Sequence, residues 1–429
     1  MFSCVYKGSV SMITLTTPFI PEFSPYLPAE FRDKKTLYFD IETTGLSAQS
    51  SYVYLIGCAY EEENTYYLTQ WMCTDPSEEK ELLRLFFEKA KTYDLLLHYN
   101  GTGFDLPFLE KKAKRHCLSS PLSSLESLDL YAASRKLKAY LPTEDLKLKS
   151  MEQFFGFTRT DTFSGGELIE VYAQFLGLYR LNEMTNHSKD QEVTALGHVL
   201  LLHNAEDIKN LPSLTVLLFL QNLASELTPE RILSTPHVTS PEAEKALANI
   251  TLTPVAVSIE YQFPFTLPQS CELSLPFNEQ SIRLNLSSNG HILLLLPTFK
   301  GELKYFYPNP SDYYYLPLED CAMHKSVASF VEKEYRKKAT AATCYTKKEG
   351  LFLPLGIRNA KTPQYKEKTT KSAESFELHN KKEAQTEPNA SLPCFLPDYK
   401  SNFCYTPHTK GLGADILTQL AKSVLSSFL

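Results

Sequence analysis

The side chains best suited to chemistry in this 429-residue chain are acidic, and they fall in three short, widely separated stretches. In "LYFDIETTGL" (37–46), Asp40 and Glu42 stand two apart at the end of a strand-like run. Side chains alternate across a strand, so both share one face, opposite Ile41. Two carboxylates that close resist joint ionisation unless a cation or a shared proton lies between them. In "LLLHYNGTGFDLPFL" (95–109), a second apolar run ends in a glycine-containing turn, and Asp105 opens a helix. In "LLLHNAEDIKNL" (200–211), His203 and Asp207 are four apart and project from one helix face. Each stretch also has a plain reading: a solvated strand end, a helix N-terminal aspartate favoured by the macrodipole, and a surface His–Asp pair.

Taken in chain order, Asp40, Glu42, Asp105 and Asp207 resemble the D-x-E, N-x-x-x-F-D and final-aspartate motifs of the DEDD exonucleases of the ribonuclease H-like superfamily. The histidine branch of that family spaces its last motif H-x-x-x-x-D and the tyrosine branch Y-x-x-x-D. His203 and Asp207 join the histidine to the shorter spacing, which leaves the base assignment open. The stretches "LDLYAASRKL" with Asp129, "LKLKSMEQFFGFTRTDTFSGGELIEVY" (146–172) and "LLLHNAEDIKNL" are similar to the bacterial YprB-type ribonuclease H-like domain. The likeness spans roughly 35–222.

The residue types suit the activity that this resemblance implies. Clustered carboxylates are hard oxygen ligands for Mg²⁺ or Mn²⁺, and two such ions can activate water and stabilise a leaving oxygen. Asp40 would bridge the two ions, Glu42 and Asp207 complete one shell, and Asp105 serve the other. A histidine side chain ordinarily has a pKa near neutrality, so His203 could take the proton from the attacking water. The resemblance further implies that Thr43, Thr44, Gly45 and Leu46 receive a terminal nucleotide. Asn100 and Phe104, just before Asp105, are the further expected substrate-binding residues; Asn100 could orient Asp105, meet a sugar, or simply close an Asx-turn. Lys147 and Lys149 could meet phosphates or be solvated. The expected function is a metal-dependent nuclease acting on DNA or RNA, a 3′–5′ exonuclease on single strands. A nucleic-acid-binding protein with little hydrolysis and a structure-specific endonuclease are the alternatives.

These side chains need a scaffold. Leu37–Ile41, 52–60 and 64–70 read as strands, the last two joined as a hairpin through Glu61–Glu63; 76–91 reads as a helix with Ser77 as its N-cap. A strand over 94–98, a helix over 104–116 and a strand over 125–131 follow. Helical pieces over 144–178 are broken by "GFTRTDTFSGG", and Pro212 should divide the helical stretch 190–220. Strands followed by helices in this order predict an α/β fold with helices packed on a mixed sheet, ribonuclease H-like by the resemblance. From 251 to 316, alternating sequence predicts a smaller antiparallel β-rich module, followed by a basic helix within 318–340. The expected organisation is an N-terminal arm (1–34), the exonuclease domain (35–222), the β-rich module (223–360), a disordered linker (361–390) and a segment with an amphipathic helix (391–429).

Composition narrows the partners. The formal net charge of −7 gives no global basic excess, so a nucleic-acid site must be local. Between 321 and 390 there are fourteen Lys/Arg against eight Asp/Glu. The basic segment 333–348 could contact phosphate, whereas the tyrosines of "SDYYYLP" (311–317) suit core packing better than base stacking. Nine scattered cysteines with no C-x-x-C pair read as reduced thiols of a cytoplasmic protein. No apolar run approaches the roughly 20 residues a bilayer needs, so no membrane partner is expected.

Overall fold

Thr36–Thr43 is the strand on which the first part of the protein is organised. Its residues alternate between two apolar environments: Leu37, Phe39 and Ile41 face one helical layer, while Tyr38, Asp40 and Glu42 face the other. The computed structural model describes residues 12–231, 256–263, 266, 269–358, 392–408 and 413–428. The expected linker, 361–390, lies outside them. The described residues divide into two compact units, the first holding 12–222 together with 266, 269–271 and 287–290 and the second the others.

The first unit runs β1 (Ile13–Phe19), β2 (Thr36–Thr43), β3 (Val53–Glu62), β4 (Thr65–Met72), α1 (Glu79–Ala90), β5 (Leu95–His98), α2 (Asp105–Arg115), β6 (Glu126–Asp129) and α3 (Leu130–Leu137). Then come α4 (Leu148–Phe154), α5 (Gly165–Met184), α6 (Asp190–Lys209), α7 (Leu211–Leu214) and α8 (Val216–Glu226). Its mixed six-stranded sheet has the order β1-β4-β3-β2-β5-β6. β1, β4, β3 and β2 pair antiparallel, whereas β2, β5 and β6 are parallel. The β3–β4 turn is Glu63-Asn64, with φ of 51° and 60°, the left-handed pair that a two-residue hairpin requires. One sheet face packs on Leu82, Leu83, Phe86, Phe108 and Leu109 of α1 and α2. The other packs on Leu168, Tyr172, Phe175, Leu200 and Leu201 of α5 and α6.

Several local details differ from the sequence reading. Ile13–Phe19, expected in an irregular arm, is the edge strand, paired with β4 along its whole length. Its exposed threonines and Pro18 hid the alternation, and an edge strand tolerates proline. The helix after β4 is capped by Asp75 rather than Ser77: the Asp75 side chain accepts the Ser77 N–H, and Glu78 completes a capping box. β6 stops at Asp129, which caps α3 by accepting the Tyr131 N–H. Pro212 sits in the first turn of α7 and separates it from α6.

The second unit holds β7 (Ala256–Gln262), β8 (Cys271–Phe277), β9 (Gln280–Leu286), β10 (His291–Pro297), β11 (Phe299–Phe306), β12 (Tyr313–Leu316), β13 (Cys321–His324), α9 (Lys325–Ala328), β14 (Lys337–Lys338), β15 (Tyr345–Ile357), β16 (Phe403–Pro407) and α10 (Ala414–Leu425). Its sheets have the orders β7-β10-β9-β8, β11-β15-β16 and β13-β12-β14. The basic helix expected within 318–340 is replaced by strands: Asp320, at φ 48°, turns the chain from β12 into β13, and one α-helical turn and one 3-10 turn (Lys333–Tyr335) follow. The Asp320 carboxylate binds the hydroxyls of Tyr315 and Tyr345 and the Lys347 ammonium, which fixes this turn. Tyr313, Tyr314 and Tyr315 are half-buried, and Tyr313 stacks on Tyr307 at 4.5 Å. The cysteines among the described residues are free thiols. None of the described helices is long and apolar enough to cross a membrane.

Candidate metal centre

Three elements deliver the polar cluster. β2 carries Asp40 and Glu42, α2 begins at Asp105, and α6 carries His203, Asn204 and Asp207. The approach of α6 depends on a glycine. Gly57 of β3 lies opposite Asp40, and a Cβ there would stand 2.1 Å from Asn204 Oδ1 and 2.3 Å from Ile208 Cδ1. Asp105 is placed by the turn before α2, in which the Asp129 carboxylate accepts the backbone N–H groups of Asn100 (2.8 Å) and Thr102 (3.2 Å). The Gly101 N–H donates to His98 Nδ1 at 3.0 Å, so His98 carries its proton on Nε2 and donates to Ser127 Oγ at 2.7 Å. Burial lowers the His98 pKa to about 4, consistent with a neutral ring.

Asp40, His203 and Asp207 each have a supporting hydrogen bond. Asn204 Nδ2 donates to Asp40 Oδ2 at 3.2 Å. Gln70 Nε2 donates to Asn204 Oδ1 at 2.9 Å, which fixes the amide so that its NH₂ faces Asp40. His203, 5 % exposed, sets Nδ1 2.7 Å from Asp161 Oδ2. Its Nε2 stands 3.6 Å from Glu42 Oε1 and 3.4 Å from Asp207 Oδ2. Arg159 donates to Asp207 Oδ1 through Nη2 and to Glu152 Oε2 through Nη1 at 2.7 Å, with Asp161 and Glu206 each 3.5 Å away. Lys149 Nζ is held at 2.9 Å from Asp161 Oδ2 and 2.5 Å from the Phe163 carbonyl.

The cluster is electrostatically strained. Burial, then the charges of Asp105, Glu42 and Asp207, pushes the Asp40 pKa well above the ordinary carboxylate range. Burial and then Asp207 and Asp105 do the same to Glu42. Asp105 rises to about 7, chiefly from burial, against backbone N–H groups that favour its charge. Such a cluster suits a divalent cation. The ligand atoms of Glu42, His203 and Asp207 all lie within 4.8 Å of one another, and the set of carboxylate oxygens with one imidazole fits Mg²⁺, Mn²⁺ and related ions.

Of the five residues read from sequence as metal and catalytic groups, β2 and α6 bring Asp40, Glu42, His203 and Asp207 together, and Asp105, at the head of α2, is near enough for its charge to act on Asp40 and Glu42. The flanking positions are more varied. Thr43 Oγ1 donates to the Gly45 carbonyl at 2.9 Å, and Thr44 pairs with Tyr52 through both its backbone N–H and its Oγ1. A Cβ at Gly45 would meet Ser51 Oγ at 2.6 Å. Leu46 is 87 % exposed, a free apolar side chain beside the acids in sequence. Asn100 is exposed, whereas Phe104 packs on Phe108 and the core. Lys149 is engaged by Asp161, and Lys147 pairs with Asp145 at 3.4 Å. Sequence reading missed Arg159, Asp161, Asn204 and Gln70. The alternation of charges in "TRTD" within an otherwise uncharged connector was the available signal for the first two; nothing marked Gln70.

None of the curated proteins matches the chain. Among solved structures it is similar to the family B DNA polymerase of the hyperthermophilic archaeon Pyrobaculum calidifontis, at 17% identity and TM-score 0.32, over 44% of this chain and 25% of that one. It is also similar to ExoI in an ExoI/SSB-Ct complex, at 11% identity and TM-score 0.26, over 61% and 63% of the two chains. A third similarity is to the zinc-bound E. coli ExoI–ssDNA complex, at 11% identity and TM-score 0.26, over 56% and 54%. The chain therefore spans less than two thirds of each of these proteins. Residues 37–219 match the family model described as the RNase_H superfamily, and this part of the chain has a ribonuclease H-like fold, a mixed sheet flanked by helices.

Proposed function

We propose that the protein is a metal-dependent nuclease of the DEDD kind, releasing nucleotides from the 3′ end of single-stranded DNA or RNA. The observation that carries this reading is the convergence of buried Glu42 and Asp105 with half-buried Asp40 and Asp207, whose mutual repulsion and desolvation raise the pKa values of Asp40, Glu42 and Asp105. A group of acids that costs this much to hold together is matched by cations and by the phosphodiester that cations recognise.

In this reading Asp40, Glu42, Asp105 and Asp207 hold two divalent ions. Such ions lower the pKa of water and offset charge on the reacting phosphate. The protein's own part is positional. β2, central and buried, keeps Asp40 and Glu42 rigid; Asn204 steadies Asp40; the Asp129-bound turn keeps Asp105 at the head of α2. Leu46 offers an exposed apolar surface for a terminal base, and Asn100 an exposed polar group in the turn before Asp105. The YprB-type likeness belongs to the same reading.

End-labelled single strands of DNA and RNA, incubated with Mg²⁺ or Mn²⁺, test it. The expected product is a ladder shortened from the 3′ end, absent with circular substrate and with Asp40→Ala. Cleavage of the circle would favour an endonuclease. Metal and strand binding with no product would favour a binding protein, and an Asp40→Ala variant as active as the parent would remove the site assignment.

A further inference from the structure

Building on the metal-site reading above, we propose that His203 is itself a metal ligand through Nε2, forming with Glu42 and Asp207 one site of mixed nitrogen and oxygen donors. Asp161 and Arg159 are the residues that position its two helix-borne members.

The distances favour ligation. Donor atoms about 2.1 Å from a common ion stand roughly 3–3.5 Å from each other in tetrahedral or octahedral arrangements. His203 Nε2 lies 3.4 Å from Asp207 Oδ2 and 3.6 Å from Glu42 Oε1, with all three ligand atoms inside 4.8 Å. Those separations are too long for good hydrogen bonds, so neither carboxylate satisfies Nε2. The ring is 5 % exposed, and its other nitrogen is engaged by Asp161 Oδ2 at 2.7 Å. That contact puts the proton on Nδ1 and leaves the Nε2 lone pair directed at the acids. A carboxylate behind an imidazole is the usual way a metal-bound histidine is oriented.

Asp207 is prepared in a complementary way. Arg159 occupies Oδ1, leaving Oδ2 on the His203 side. Arg159 and Asp161 flank Thr160 on the connector between α4 and α5, and that connector is fastened to α6 itself. Glu206 accepts from Thr160 N at 2.9 Å, Thr160 Oγ1 at 2.6 Å and Asp161 N at 3.0 Å. The same three-residue segment therefore sets both ligands of the helix. A nitrogen donor shifts preference from Mg²⁺ toward Mn²⁺ and later first-row ions.

The test uses the full chain, with Mn²⁺ titrated by calorimetry and the bound ion examined by electron spin-echo envelope modulation. Wild type should show ¹⁴N coupling from imidazole and bind Mn²⁺ at least tenfold more tightly than Mg²⁺. His203→Gln should lose the coupling and bring the two affinities closer. Asp161→Asn should keep the coupling while weakening Mn²⁺ binding about tenfold or more; an unchanged affinity would remove its positioning role. Bound Mn²⁺ without ¹⁴N coupling in wild type would overturn the ligand assignment and leave the nuclease reading intact. Absence of Mn²⁺ binding together with absence of product would overturn both. The wild-type spectrum decides the ligand question even if His203→Gln fails to fold.

Discussion

Gly57 faces Asp40 across the β2–β3 pairing, and the space left by its missing side chain is where Asn204 reaches the aspartate. Gly57→Ala should force α6 outward at Asn204 and Ile208. A loss of about 1–3 kcal/mol is expected from overpacking, read by urea unfolding, together with weaker Mn²⁺ binding by calorimetry. A variant with parental affinity would show that this close approach does not matter to the site.

Removing one charge from the cluster should relieve it. Asp40→Asn is expected to abolish nuclease activity while raising the melting temperature of the metal-free protein by about 2–4 °C, the shift that ~1 kcal/mol produces in a domain of this size. Calorimetric scans in the presence of chelator measure it. A lower melting temperature would mean that Asp40 contributes more through Asn204 than it costs by repulsion.

Protons and cations compete for the same oxygens. Asp105 has its pKa raised to about 7 from an ordinary value near 3.8. Its stabilising contribution is therefore fully present below the unfolded value and is lost as pH rises through about 7. Without metal, this group makes the fold more stable at pH 5 than at pH 8. With Mn²⁺ the order should reverse, because binding strengthens as the acids ionise. Melting curves at the two pH values, with metal and with chelator, check both signs.

Arg159 is nearly buried among Glu152, Asp161, Glu206 and Asp207. Arg159→Ala leaves those carboxylates without their shared cation, and a loss on the order of 3–5 kcal/mol is expected in urea unfolding. A loss below ~1 kcal/mol would show that other groups or solvent neutralise them.

The sequence made the scaffold legible where periodicity and turn chemistry agreed. Leu37–Ile41 reads as a strand from its own residues, and the acidic turn marks the β3–β4 hairpin. The site's acids were visible because strand alternation and helical i, i+4 spacing are local rules that place Asp40 with Glu42 and His203 with Asp207. What supports them was hidden, since Gln70 acts on Asn204 across 134 positions and Arg159 on Asp207 across 48. Only the tertiary fold brings such pairs together. The misread 318–340 stretch has the opposite cause: its lysines and alanines favour a helix, and the Asp320 turn with its tyrosine and lysine partners overrides that preference.

The groups that would grip the ions come from residues 40, 42 and 105 and, last, from the helix ending at Lys209. During synthesis, a nascent chain that has not yet released that helix from the ribosome would lack His203 and Asp207. Under the proposed reading, the metal site would thus stay incomplete until nearly all of residues 37–219 had emerged.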